Sequence, residues 1–455
     1  MASLAGVLVA GLVLVLTGCG GDDTPVGRDE QTTPPVPTPP ELTATVATGR
    51  LAPSASMTEA PTPSTDLVAT TVSPVRTTTS SSSWRTIAAS PLGPRAAPVS
   101  VWTGSEFIVW SGIPATSDMC EDRGGGMLCG EPAVFDGAAY DPVTDTWRAI
   151  ADGPVPAAGA PTQVIPQGVW TGSELVVWGG WGNPIAAAYN PVTDTWRDLP
   201  PGPLGARESQ AIVAWRGRVA VLGGRAPMGS IELNPDAPPD LGAGWHLDAA
   251  VVDPATGQWT QLPDLPAGDP RAPGLVVAAE FDGRLFVVSR VDLHAFVLDA
   301  DGTSWSSLGS PDVGSAGMDG QLVPVAVSGD QWLFAPRDPA DPEFEPPQVG
   351  AVLDLAGAAW STTSPPSGLA AEYLGAGAGD RVLAMAGRWA FDSAPPQAMS
   401  WEPTTGTWTE LAPPPLAHRL DAAVAWTGDE LLVWGGESTG GFGGPGLADG
   451  AALQR

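Results

Sequence analysis

Arginine is the side chain with which this sequence could do the most chemistry. There is no lysine, so all 20 basic residues are Arg, set against 50 Asp and Glu. Arg225, Arg290, Arg337 and Arg388 each follow an apolar run, whereas Arg95, Arg207, Arg271 and Arg419 each precede one. A guanidinium presents a planar fork of donors that fits a carboxylate or phosphate. Eight such forks on one surface would form a cationic mouth for an anionic ligand. The first four, with His246 and Trp181, are the candidate ligand-binding residues; the second four are also suited to a structural tie with a neighbouring loop.

Other reactive groups are sparse. Cys120 and Cys129 lie in a Gly-rich stretch with no His within about a hundred residues, so in an exported protein a local disulfide is expected rather than a metal site. The acids of RDPADPEFEPP (Asp338, Asp341, Glu343, Glu345) could hold Ca²⁺ or act as acid and base, or form a solvated loop. No catalytic residue, metal or cofactor is assigned. The formal net charge of -30, without a basic stripe, excludes nucleic acid as a partner.

The elements that must position these residues repeat. YDPVTDTW at Tyr140–Trp147 returns as YNPVTDTW at Tyr189–Trp196. Trp recurs at 84, 147, 196, 259, 305, 360 and 408, and before six of them a large apolar residue stands seven positions upstream: Tyr140, Tyr189, Val252, Leu298, Leu353 and Trp401. In phase with this series run seven apolar pairs split by Gly104, Gly172, Gly217, Gly283, Gly329, Gly379 or Gly428, the pattern of β-hairpins. The Asp-Pro-x-Thr segments between the Tyr-type residue and Trp supply a second turn. Each unit, about 54 residues, therefore holds four short strands and is too small to bury both faces of its sheet alone. Stacked in a ring, such units give an all-β, seven-bladed β-propeller with Trp as filler between blades.

An Arg before the first strand, a Gly pair after the second and Y-D-P-x-T-x-x-W together resemble the kelch repeat, as in kelch propellers and the galactose oxidase central domain; the likeness covers 84–455. SSSSWRTIAA opens the folded part without its three partner strands, and GAALQR, which matches GAAYDP, ends it before any Trp. The seventh blade is thus expected to form from both ends of the chain, closing the ring by pairing N-terminal and C-terminal strands. The resemblance places the second-to-third and fourth-to-first connections on one, commonly ligand-binding, face. On that face the repeats differ. From Gly112 to Tyr140 and from Gly224 to Val252 the chain runs 28 residues, but from Gly180 to Tyr189 only 9, so blades one and three carry insertions at 113–136 and 225–248.

The N-terminal residues 1–18 are apolar and end at Leu16-Thr17-Gly18-Cys19, which resembles a bacterial lipoprotein signal and implies lipidation of Cys19; a plain cleaved signal is the alternative. Residues 19–83, rich in Thr, Pro and Ser without an aromatic residue before the propeller's first Trp, read as a disordered tether. The expected protein is a monomeric, lipid-anchored propeller on the outside of a bacterial cell membrane, bound to the membrane only through that anchor. Its expected role is binding a protein or glycan partner, an anionic one if the Arg mouth is used. The competing role is a carbohydrate-active enzyme, epimerase-like or oxidase-like, on the same face. A galactose-oxidase copper site is disfavoured because Tyr140 and Tyr189 are repeat positions, leaving Tyr373, and His246, His294 and His418 fall in different blades.

Overall fold

A computed structural model describes residues 82–114, 120–122, 127–129, 133–155, 166–180, 184–226, 244–270, 272–313, 322–337, 349–366, 372–387, 396–438 and 446–454. Cys19 and the signal and tether segments lie outside the described residues. The described chain is all-β, a seven-bladed propeller of four-stranded antiparallel sheets.

Blade one comprises Val99–Trp102, Phe107–Gly112, Val134–Asp141 and Thr146–Ala149, and blade two Gln167–Trp170, Leu175–Gly179, Ile185–Asn190 and Thr195–Asp198. Blade three is built from Ala211–Trp215, Arg218–Leu222, Ala249–Asp253 and Gln258–Leu262; blade four from Val276–Phe281, Arg284–Ser289, Ala295–Leu298 and Trp305–Gly309. Leu322–Ser328, Gln331–Pro336, Gly350–Asp354 and Ala359–Thr363 form blade five, and Glu372–Gly377, Val382–Gly387, Gln397–Glu402 and Thr407–Glu410 blade six. Blade seven takes Ala423–Trp426, Glu430–Trp434 and Gly450–Gln454 from the C-terminal end and its outer strand, Ser83–Thr86, from the N-terminal end. The expected closure is thereby made: Trp84 stands opposite Leu453, as Trp147 does opposite Tyr140 and Trp196 opposite Tyr189. The same register pairs Val252 with Trp259, Leu298 with Trp305, Leu353 with Trp360 and Trp401 with Trp408.

The Trp series does more than fill space. Each indole Nε1–H donates to the preceding blade, and in six junctions the acceptor is the carbonyl four residues past the preceding Trp. Trp147 donates to Ala88, Trp196 to Ala151, Trp259 to Pro200, Trp305 to Pro263, Trp360 to Gly309 and, across the closure, Trp84 to Ala412, all at 2.8–3.0 Å. The seventh, Trp408, donates to the Thr363 hydroxyl at 3.2 Å. Most of these rings are half-buried, so each can reach a partner while covering apolar surface. The blades that kept Tyr add a polar relay. Tyr140 Oη donates to Asp145 Oδ1 at 2.6 Å and accepts from Arg85 of blade seven; Tyr189 Oη donates to Asp194 at 2.7 Å. Burial and then the carboxylate bond push the Tyr189 phenol up to about 12, so it remains a donor at neutral pH.

First strands of neighbouring blades run side by side around the axis, with one exception, blades four and five. The cause lies on the far side of blade five. A Cβ at Gly377 would collide with the Val327 carbonyl, and one at Gly375 would lie 2.9 Å from Val325 Cγ1, so these glycines let the first strand of blade five press against blade six. A bulge between Pro324 and Ala326 bends that strand. Towards blade four the junction is packed by Phe281, Phe286, Trp332, Phe334 and Trp360. At this junction the first strands meet through side chains rather than side by side. In native-state hydrogen exchange, Val276–Phe281 and Leu322–Ser328 are expected to exchange faster than Val99–Trp102 and Ala423–Trp426; equal protection would contradict that reading.

Candidate functional site on the blade-three loop face

The second strand of blades one, three and seven ends in two residues of left-handed conformation: Ser111 and Gly112 (φ 62° and 120°), Gly223 and Gly224 (60° and 90°), Gly435 and Gly436 (71° and 93°). Glycine takes this region without strain, which accounts for the repeated Gly pair. The twist turns the first carbonyl of each pair towards the Arg that precedes the first strand. Arg95, Arg207 and Arg419 each donate Nη1–H to it, at 3.4, 3.0 and 2.9 Å. Each also donates Nε–H to the carbonyl two residues back. Nη1 and Nη2 of Arg95 and Arg207 fork onto the Asp136 and Asp248 carboxylates, and Nη2 of Arg419 reaches both oxygens of Asp449. Arg207 and Arg419 are fully buried, and all three nitrogens of each guanidinium are engaged.

These three arginines are therefore struts of the loop face, the structural tie considered from the sequence. Arg271 lies outside the described residues. The partner acids were missed by the sequence reading, although they carry a signal: Asp136, Asp248 and Asp449 stand four positions before Tyr140, Val252 and Leu453. Burial pushes the Asp248 carboxyl up, but hydrogen bonds and charge from Arg207 outweigh it and hold the group below the ordinary carboxylate range.

Beside each strut the backbone makes the same small bridge, between the residue after the Arg and the residue after the second left-handed position. In blade one the bridge joins Ala96 and Ile113, in blade seven Leu420 and Glu437, and in blade three Glu208 and Arg225. Only the blade-three bridge carries both charges. Glu208 and Arg225 exchange reciprocal backbone bonds of 2.9 Å, and Arg225 Nη2 meets Glu208 Oε1 at 2.6 Å. The Arg225 guanidinium also lies over the Trp245 ring, 5.8 Å from its centroid. His246 follows, with its backbone N–H on the Gly224 carbonyl and its Nδ1 4.0 Å from Asp248 Oδ1. Burial, then the Arg207 charge, lowers the His246 pKa, so its imidazole is neutral at pH 7.

Arg225 and His246, both predicted from the sequence, are thus brought together with Trp245 and with Glu208, a partner that no local pattern announced. Arg290 and Arg337 sit just past the second strands of blades four and five, each with interactions of its own. Arg388, Trp181 and the acids of 338–345 lie outside the described residues. His294 bonds Ser307 Oγ at 2.7 Å and stacks on Phe296 in blade four, and His418 precedes the Arg419 strut, so neither joins His246 in its blade. Tyr373 is buried in the first strand of blade six. Among the described residues no group of three His, Cys, Asp or Glu is gathered to hold a metal ion.

No family model matches the chain, and no curated protein is similar to it. Among solved structures it is similar to that of YjhT, at 16% identity and a TM-score of 0.44, over 81% of this chain and 99% of that one. As many as 693 solved chains match, and an architecture so widely shared does not choose among functions.

The struts and the charged bridge should differ sharply on mutation. Arg207→Ala removes a fully buried fork and is expected to cost about 3 kcal/mol in equilibrium unfolding. Arg225→Ala, in a bridge that blade one builds from Ala96 and Ile113, is expected to cost less than about 1 kcal/mol. Equal losses would erase the distinction.

Proposed function

We propose that this protein is an exported, lipid-anchored, kelch-like propeller that binds a protein or glycan partner through the loop face of blades one and three. One observation carries the binding role: blade three places Glu208, Arg225, Trp245 and His246 at a bridge that blade one makes with Ala96 and Ile113. Where the fold accepts two apolar residues, a charged and aromatic set is free to serve recognition, and Trp and Arg are the side chains that most often dominate binding interfaces.

Supports for the remaining parts come from the chain itself. Leu16-Thr17-Gly18-Cys19 fits acylation of Cys19, and residues 20–83, as a flexible coil with ends roughly 45 Å apart, suit a tether that holds the propeller off a membrane. In the blade-one insertion, Cys120–Asp122 pairs with Met127–Cys129 so that Cys120 and Cys129 stand directly opposite, a register compatible with a disulfide. The Tyr-type and Trp positions of the kelch resemblance serve packing and fall outside the proposed site.

Two measurements on the full chain from an exporting bacterial host test these proposals. Intact mass should show an acylated Cys19 as the first residue and two hydrogens fewer than the dithiol form; an unmodified N-terminus or two free thiols would overturn the respective part. On arrays of identified proteins and glycans, the chain should capture a defined partner, and Arg225→Ala with Trp245→Ala should weaken capture about tenfold or more. No captured partner, or capture indifferent to both substitutions, would remove the binding role.

A further inference from the structure

We infer that Glu208 occupies, from within the chain, a carboxylate seat on Arg225 that a carboxylate of the partner takes in the complex. The inference rests on the loop-face binding role proposed above and gives that face its ligand chemistry.

The seat is built before any ligand arrives. The Arg225 backbone is fixed by its reciprocal bonds with Glu208, and the next residue, Ala226, donates to Gly244 at 2.7 Å. Further out, the guanidinium lies over Trp245. On its Nη2 side the guanidinium meets a carboxylate, that of Glu208, at 2.6 Å. The neighbouring fork cannot serve, because Arg207 is buried and saturated by Asp248, Gly205 and Gly223. Arg225 keeps a quarter of its side chain exposed while Glu208 Oε1 is buried at the contact, so a partner's carboxylate reaches the guanidinium from the Arg225 side as Glu208 leaves.

Exchange of one carboxylate for another leaves the charge at the seat unchanged, and Glu208, once displaced, regains its hydration. The bridge itself does not require an acid, since Ala96 holds the same place in blade one and Leu420 in blade seven. An internal carboxylate at this point weakens every anionic ligand by competition. It therefore favours a partner that brings a carboxylate together with further contacts over a lone small anion.

The test uses the full chain and three probes: benzoate, acetate and inorganic phosphate, followed by calorimetry or NMR titration. Removing the competitor by Glu208→Ala or Glu208→Gln is expected to tighten benzoate about tenfold or more over the unaltered protein, with acetate following and phosphate lagging. Alanine is already accepted at the equivalent place in blade one, and thermal unfolding of each variant confirms that it folds. Adding Arg225→Ala to either substitution should abolish the gain. Benzoate affinity unmoved in both Glu208 variants, or a gain that survives loss of Arg225, would overturn the seat. If partner capture on the arrays persisted alongside that failure, only the seat would fall; loss of capture with the benzoate gain intact would sink the binding role instead.

Discussion

Everything in this ring hangs on a tryptophan N–H reaching across each junction. A four-stranded blade of small and β-branched residues has two apolar faces, and neither can face water. Packing alone would hold neighbouring blades at a range of angles, because apolar contact has no direction. The indole fixes the angle: its ring covers the neighbour's outer strand while Nε1–H finds one carbonyl, in six of seven junctions four residues past the preceding Trp. Each bond is worth only about 1 kcal/mol, but its geometry repeats around a closed ring, so errors in one junction cannot be absorbed elsewhere.

The second layer of constraint stands on the loop face. Three buried Arg forks tie the start of the first strand to the end of the second and the start of the third in blades one, three and seven. These struts give the long connections fixed feet. Polar relays of Glu, Arg, Tyr and Asp do the corresponding work between blades seven, one and two, where Arg85 links Glu430 to Tyr140 and Arg148 links Glu106 to Asp194. Between blades four and five the described residues pack through aromatic side chains, and between blades five and six through glycine.

Much of this was legible in the sequence because it is written in period. The Trp series, the seven turn glycines and the split seventh blade follow from counting positions, since a residue that packs the same way in every blade recurs at the same place. The Arg–Asp struts were half legible: Arg95, Arg207 and Arg419 stood out, but their partners lie 41, 41 and 30 residues away and emerge only once the loops are closed. Glu208 was invisible for the opposite reason. Its place beside the strut repeats but its charge does not: Ala96 and Leu420 stand there in blades one and seven, so no recurring residue type marked it. The close approach of blades five and six was hidden likewise, because nothing in the spacing of Gly375 and Gly377 shows that Val325 and Val327 lie against them.

Closure of the ring is tested most directly at Trp84, because this side chain of the N-terminal strand adds both apolar cover and a directed bond to the core shared by blades six and seven. The direct measurement is equilibrium urea unfolding of the full chain with Trp84→Ala. Loss of the ring and of its bond to Ala412 is expected to lower the stability of the whole propeller by about 3 kcal/mol, in one cooperative transition. A midpoint unchanged from that of the unaltered protein would contradict it.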